Sequence, residues 1–279
     1  MSYSAFDKRM KKYEYVTRTY LITRTPAIIR IDGKAFHTFT RGFNKPFDNV
    51  LSDTMQATMK YLCQNIQGCV LGYTQSDEIT LILVDYKDVD TCAWFDYNIQ
   101  KCASVAASMA TVAFNKFFVE NVEKFGRENI ESWDGGETNE ELSDKELAAC
   151  KLAETYYKAY TKGAMFDARI FNIPKEEVCN NILWRQQDAT RNSIQMVGRS
   201  NFSDKQMHKK NTSQIQDMLM LEKGVNWNDI PTRFKRGSSC VRKVNSQTGR
   251  SEWIIDNEMP ILKGENRKYV DDLIYISED

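Results

Sequence analysis

Ala27-Ile28-Ile29-Arg30-Ile31-Asp32-Gly33-Lys34-Ala35-Phe36-His37 is the stretch on which the fold turns. Residues 27–31 are a short, β-branched apolar run and read as a buried strand. Phe36, Phe39 and Phe43 follow at spacings of three and four, the signature of one helix face. Asp32 therefore stands at the carboxyl end of a strand and just before a helix, where α/β sheets place ligands and free backbone N–H groups can hold phosphate. The plainer reading of Asp-Gly is a tight turn.

Working outward, residues 4–22 read as a helix ahead of this strand, and 42–48 as a loop marked by Gly42, Asn44 and Pro46. Val50, Leu51, Met55, Met59, Leu62 and Ile66 predict a helix over 49–66, closed by Gly68 as a C-cap. Residues 69–73 and 79–84 form two β-type runs around Thr74-Gln75-Ser76-Asp77-Glu78, a hairpin with two carboxylates at its bend. Solvated turn residues are the bland reading, but Asp77 and Glu78 abut a fully apolar strand. A long helix is predicted over 91–119, then an acidic surface insertion over 120–147, a helix from about Ser143, and a strand over 166–171 that ends at Pro174.

Strand, helix, strand, strand, helix, strand is the split βαβ order, so the predicted fold class is α+β, a ferredoxin-like βαββαβ sheet. That order lets the first strand and the central hairpin lie side by side, which brings Asp32 and Asp77 together. Domain organisation follows: 1–174 as the catalytic unit, and 175–279 as a helical and hairpin region with added helices. Residues 201–250 hold ten Lys or Arg against four Asp or Glu, a candidate polyanion surface.

Bulk composition narrows the function classes. Net charge is zero, so no global field attracts nucleic acid. Seven cysteines without a C-x-x-C pair and only two histidines argue against structural zinc. Scattered, odd-numbered cysteines and the lack of a leader or a long apolar run predict a cytoplasmic protein that does not engage a membrane. Two aspartates with no His or Cys nearby suit Mg²⁺, and a pair of such ions clamps the oxygens of an in-line displacement at phosphorus. Lys34 and Lys45 can neutralise a triphosphate cradled by the N–H groups of 33–37. His37 reads as a packing or hydrogen-bonding residue, not a base. No nucleophile–base set is present, as suits metal-dependent nucleotidyl transfer.

Three ordered motifs carry a resemblance: Ile31-Asp32-Gly33-Lys34-x-Phe36-His37-x-Phe39, then Lys45-Pro46-Phe47-Asp48, then Gly72-Tyr73-Thr74-Gln75-Ser76-Asp77-Glu78. Phe166-Asp167-Ala168-Arg169, Trp184-Arg185-Gln186-x-Asp188 and Arg233-Phe234-Lys235-Arg236-Gly237 continue it. The chain resembles the tRNA-His guanylyltransferase family over most of residues 5–245. The resemblance implies a palm fold like that of template-copying polymerases, run in the 3′–5′ direction, which adds nucleotides to the 5′ end of tRNA with two Mg²⁺ ions. ATP activates the 5′-monophosphate, and GTP or another NTP then supplies the attacking 3′-hydroxyl. It makes Asp32, Gly33 (through its carbonyl) and Asp77 metal ligands, and Asp32, Asp77 and the supporting Glu78 catalytic. Asp32, Gly33, Lys34, Ala35, Phe36, His37, Lys45, Asp48, Ser76 and Asp77 bind nucleotide. Arg185, Arg191, Asn192, Arg233, Lys235 and Arg236 face tRNA. A homotetramer is the implied assembly.

One departure selects a branch. Eukaryotic members that add guanosine to tRNA-His carry a His-Ile-Asn-Asn-Leu-Tyr-Asn-Thr motif after Trp-Arg-Gln. Here the stretch is Ala189-Thr190-Arg191-Asn192-Ser193-Ile194, without the histidine. That is similar to the guanylyltransferase-like repair branch, which rebuilds truncated 5′ ends by templating. The alternatives are tRNA-His guanylyltransferase proper, a nucleotidyl cyclase-like palm enzyme, and a non-enzymatic RNA-binding module.

Overall fold

A computed structural model describes residues 4–131, 133, 142–244 and 248–276. In chain order the elements are α1 (Ala5–Tyr15), β1 (Ala27–Gly33), the single turn α2 (Phe36–Phe39), α3 (Asn49–Asn65), β2 (Cys69–Gln75), β3 (Glu78–Leu83), α4 (Ile99–Asn129), α5 (Asp144–Lys162), β4 (Phe166–Asn172), α6 (Lys175–Asn201), α7 (Asp204–Met207), α8 (Thr212–Lys223), α9 (Thr232–Arg236), β5 (Ser238–Val244), β6 (Ser251–Asp256) and α10 (Lys268–Ile274). The strands form one antiparallel sheet in the order β4-β1-β3-β2-β5-β6.

The alternation of β1 decides what covers each face. Ala27, Ile29 and Ile31 join the larger core with Met55, Met59 and Leu62 of α3 and Ala106, Ala110 and Phe114 of α4. Ile28 points the other way, into a second core with Val178, Cys179 and Ile182 of α6 and Val270 and Ile274 of α10. Small residues along α4 let it lie close to β4 and α3. Polar side chains set the helix starts: Asp48 caps α3, Asn98 caps α4, and Ser143 with Glu146 forms a capping box on α5.

Four expectations are corrected. Phe36 and Phe39 sit on one helical turn only, because Ala35 before it and Gly42 after it have positive φ (53° and 88°). Phe43 lies in the following loop, yet its ring still meets Phe39 at 5.8 Å. Gly68 does not cap α3, whose C-cap is Ile66; its φ of +78° serves the turn into β2, where an added Cβ would meet the Val84 carbonyl oxygen at 2.9 Å. Residues 120–129 are not a surface insertion but the last turns of α4, which begins only at Ile99. Val122 and Gly126 are buried there, and Phe125 packs on the core, so the charges on the outer face had masked the period. The rest of that expected insertion lies largely outside the described residues.

Beyond residue 174 the chain continues the same sheet. β5 pairs with β2 and extends the same sheet, while α6 covers the face of β1 and β3 that carries Ile28 and Ile82. α4 also passes as membrane-spanning by length and composition, with an 18-residue window of mean hydropathy 1.4, against the expected lack of such a run. It packs on α3, β4 and α5 and is a core helix.

Asp48 shows how a side chain holds the loop that borders the site. Its Oδ1 accepts from Leu51 N (2.9 Å); its Oδ2 accepts from Asn44 N (3.0 Å) and from the Tyr156 hydroxyl (2.7 Å). Asp48→Ala is expected to cost about 2–4 kcal/mol, the sum of a lost cap and two further bonds to a charged acceptor. Urea denaturation checks this, and Asp48→Asn, which keeps the cap, should cost less.

Candidate active site

Asp32, next to last in β1, lies between two acidic neighbours, paired in register with Glu78 on β3 and Asp167 on β4. Ser76 and Asp77 form the two-residue turn between Gln75 and Glu78, and Ser76 takes a φ of 51° to close it. The Gly33 N–H donates to the Asp77 carbonyl oxygen at 3.1 Å, which ties the bend to the end of β1. Gly33 has no room for a side chain, since a Cβ would lie 2.2 Å from the Phe36 ring. Sequence reasoning brought Asp32 and Asp77 together, and the structure does so. Burial pushes the Asp77 carboxyl above the usual range, the Ser76 hydroxyl (3.0 Å) opposes this, and the charge of Asp32 pushes it up further.

These groups flank a cavity of about 550 Å³, within the range of ligand sites. Gly33, Ala35, Phe36, His37, Lys45, Asp48, Ser76 and Asp77 line it. So do Asn192 of α6 and Arg233 of α9, which had been expected to face tRNA. Asp32 stands at its margin, and Lys34 is exposed outside the lining. Asp48 lines the cavity with both carboxylate oxygens already spent on the protein.

Glu78 and Arg185 bind each other. Arg185 Nε meets Glu78 Oε1 and its Nη2 meets Oε2, both at 2.8 Å, and both side chains are under a tenth exposed. Burial raises the Glu78 carboxyl, while Arg185 and then Arg30 pull it down. Arg185 also binds Asp188 at 2.9 Å, and Asp188 in turn holds Arg191. Arg185 is thus a buried strut between α6 and the sheet, and Arg191 alone of this set is exposed. Arg233 binds Asp53 and Asn49 at 2.7 Å each, Lys235 donates to the Asn228 carbonyl oxygen, and Arg236 donates to that of Met259. The three basic residues of α9 therefore fasten α9 to its surroundings.

Sequence reasoning missed an aromatic wall. Phe47 and Phe234 stack at 4.7 Å and 10°, and both line the cavity. Their 187-residue separation left no local signal. It also missed Gln56, whose Nε2 donates to Ser238 Oγ (2.9 Å) and Asn257 Oδ1 (2.6 Å).

The donor set fits a hard divalent cation: two carboxylates and nearby backbone oxygens, with the repulsion between Asp32 and Asp77 unrelieved by a bonded protein cation among the described residues. Among the described residues no group of three or more His, Cys, Asp or Glu converges into a closed cage.

A family model for tRNAHis guanylyltransferase (Thg1) matches residues 7–174. The chain is a nucleotidyltransferase, and it belongs to the tRNAHis guanylyltransferase family. A bacterial Thg1-like protein solved in complex with ATP is 40% identical, with a TM-score of 0.77 over 98% of this chain and 100% of that one. One in complex with GTP is 37% identical, with a TM-score of 0.75 over 98% and 100%. The tRNA(His) guanylyltransferase of Debaryomyces hansenii is 25% identical over 84% of this chain and 81% of its own length. An uncharacterised protein of Acanthamoeba polyphaga mimivirus is 28% identical over 82% and 74%.

Two tests follow. Arg185→Met leaves Glu78 buried and unpaired, and should cost about 3–5 kcal/mol in chemical denaturation, with most of it recovered by adding Glu78→Gln. Asp77 is raised in the fold, so its stabilising contribution is full below the unfolded pKa and is lost as pH rises through the folded value. Without divalent cations, Asp77→Asn should therefore gain stability relative to the parent between pH 4 and pH 7; a gap that does not change with pH would contradict this.

Proposed function

We propose that the chain is a Mg²⁺-dependent 3′–5′ nucleotidyltransferase that adds nucleotides to the 5′ end of tRNA by templated repair of truncated ends. The observation that carries this is Asp77 in the lining of a nucleotide-sized cavity with Asp32 beside it. The strand order β4-β1-β3-β2 with helices on the sheet supports a ferredoxin-like palm as its frame. Relatives solved with ATP and with GTP support both as ligands of the cavity. Templated repair is favoured over guanosine addition to tRNA-His by the lack of the histidine at Ala189 and by the bacterial Thg1-like relatives.

Asp32, Asp77 and the Gly33 carbonyl would hold two Mg²⁺ ions, which supply charge neutralisation and Lewis-acid activation at phosphorus when bound. The chain's own groups do the rest. Lys45 and His37 line the cavity where a triphosphate meets the loop after β1, and Ser76 orients the Asp77 carboxylate through its hydroxyl. Phe47 and Phe234 give a nucleobase an apolar wall, and Glu78 fixes the hairpin through Arg185. A homo-oligomer, a tetramer by resemblance, is the proposed assembly. α1 buries none of its residues within the chain and leaves Phe6 and Tyr13 59% and 70% exposed. The proposed compartment is the cytoplasm.

Purified protein incubated with internally labelled, 5′-truncated tRNA, ATP, NTPs and Mg²⁺ should yield products lengthened at the 5′ end up to the templated length. Asp32→Ala or Asp77→Ala should lower the rate by at least ~10³-fold with the fold intact. Undiminished activity in both variants would reject the assignment.

A further inference from the structure

Of the five tryptophans Trp184 alone is exposed, at 50%; Trp94 and Trp253 are buried, and Trp133 and Trp227 are half-buried. Water is a costly place for so large an apolar ring. The indole is nonetheless held in place. The guanidinium of Arg185 lies 4.5 Å from its ring centroid, and that of Arg30 lies 5.9 Å away. A fixed aromatic surface, backed by positive charge and open to solvent, is what a nucleobase stacks on. The cavity makes no use of it, because Trp184 is not among the residues that line it.

The place of Trp184 in the fold says which base. Alternation puts Ile28, Arg30 and Asp32 on the face of β1 that α6 covers. Arg185 reaches over that face to Glu78 on β3. Trp184, one residue earlier on α6, meets Arg30 on β1, one pleat behind Asp32. β4 follows at the edge of the sheet, where Asp167 and Arg169, opposite Asp32 and Arg30 in register, pair with each other and are both exposed. The indole therefore borders an open shelf on the β4 side of Asp32. The cavity lies on the other side, among the hairpin bend, α3 and α9. A nucleotide in the cavity and a base on Trp184 would approach Asp32 from opposite sides, as the two substrates of one transfer must. We propose that Trp184 is the stacking platform for the 5′-terminal base of the RNA. This rests on the nucleotidyltransferase reading of the site, but its test needs no turnover.

The experiment is a double-mutant cycle read by equilibrium binding with Mg²⁺ present. The full chain and its Trp184→Leu and Trp184→Phe variants are titrated with a 5′-truncated tRNA, with the same RNA made abasic at its 5′-terminal nucleotide, and with ATP. The parent should bind the intact end about tenfold or more tighter than the abasic one, the worth of one stacked base. Trp184→Leu should bind the two RNAs within about twofold of each other, with the loss falling on the intact one. Trp184→Phe keeps an aromatic face and should retain most of the preference. ATP affinity should stay within about twofold throughout. Thermal melting and sedimentation report the fold and the oligomeric state of each variant. A preference as large in folded Trp184→Leu as in the parent, or none in the parent, overturns the assignment. So does an equal weakening of both RNAs, which a merely structural role would give, or a matching loss of ATP affinity. A changed oligomeric state in Trp184→Leu overturns it as well, because the indole would then belong to a contact between copies. Nucleotide addition by the parent protein is scored separately, so its absence with the preference for the intact end in place would reject the functional reading and not this one.

Discussion

The ion pair of Glu78 and Arg185 is the constraint around which the site is arranged. Taking both charges out of water is expensive, and only a bidentate geometry with two 2.8 Å bonds offsets it. What the pair gives in return is position. It fastens the middle of α6 to the first residue of β3, directly after Asp77 and opposite Asp32 in register. α6 then continues over the hairpin, so that Ala189, Asn192 and Ser193 close one side of the cavity. With the pair absent, the hairpin bend and α6 would be held near the aspartates mainly by the apolar contacts further down the sheet.

The charges around Asp32 follow one pattern: carboxylates at the sheet's end, guanidinium groups one pleat behind or on α6. Each partner offsets the field of its neighbour, except that among the described residues no protein cation bonds Asp32 or Asp77. The proposed Mg²⁺ would offset the repulsion of that pair.

Much of this was legible in the sequence because it is local. The apolar runs around Asp32 and Asp77 fixed both strands, and the order of elements was enough to bring them together. The basic residues were read less well. Arg185, Arg233, Lys235 and Arg236 count as charge in a composition, but each is bound to a partner on another element or further along the chain. A sequence cannot show that pairing. The same blindness hid the stack of Phe47 on Phe234 and the capping role of Asp48, which also lines the cavity. The buried period of 120–129 was hidden by the ion pairs on its outer face.

The central claim is that Asp32 and Asp77 together make a divalent-cation site. Calorimetric titration of the protein with Mn²⁺, in the presence of a non-hydrolysable ATP analogue, tests it most directly. The account predicts saturable binding by the parent protein that is lost in both Asp32→Ala and Asp77→Ala, each still folded. Equal cation binding by either folded variant would contradict it.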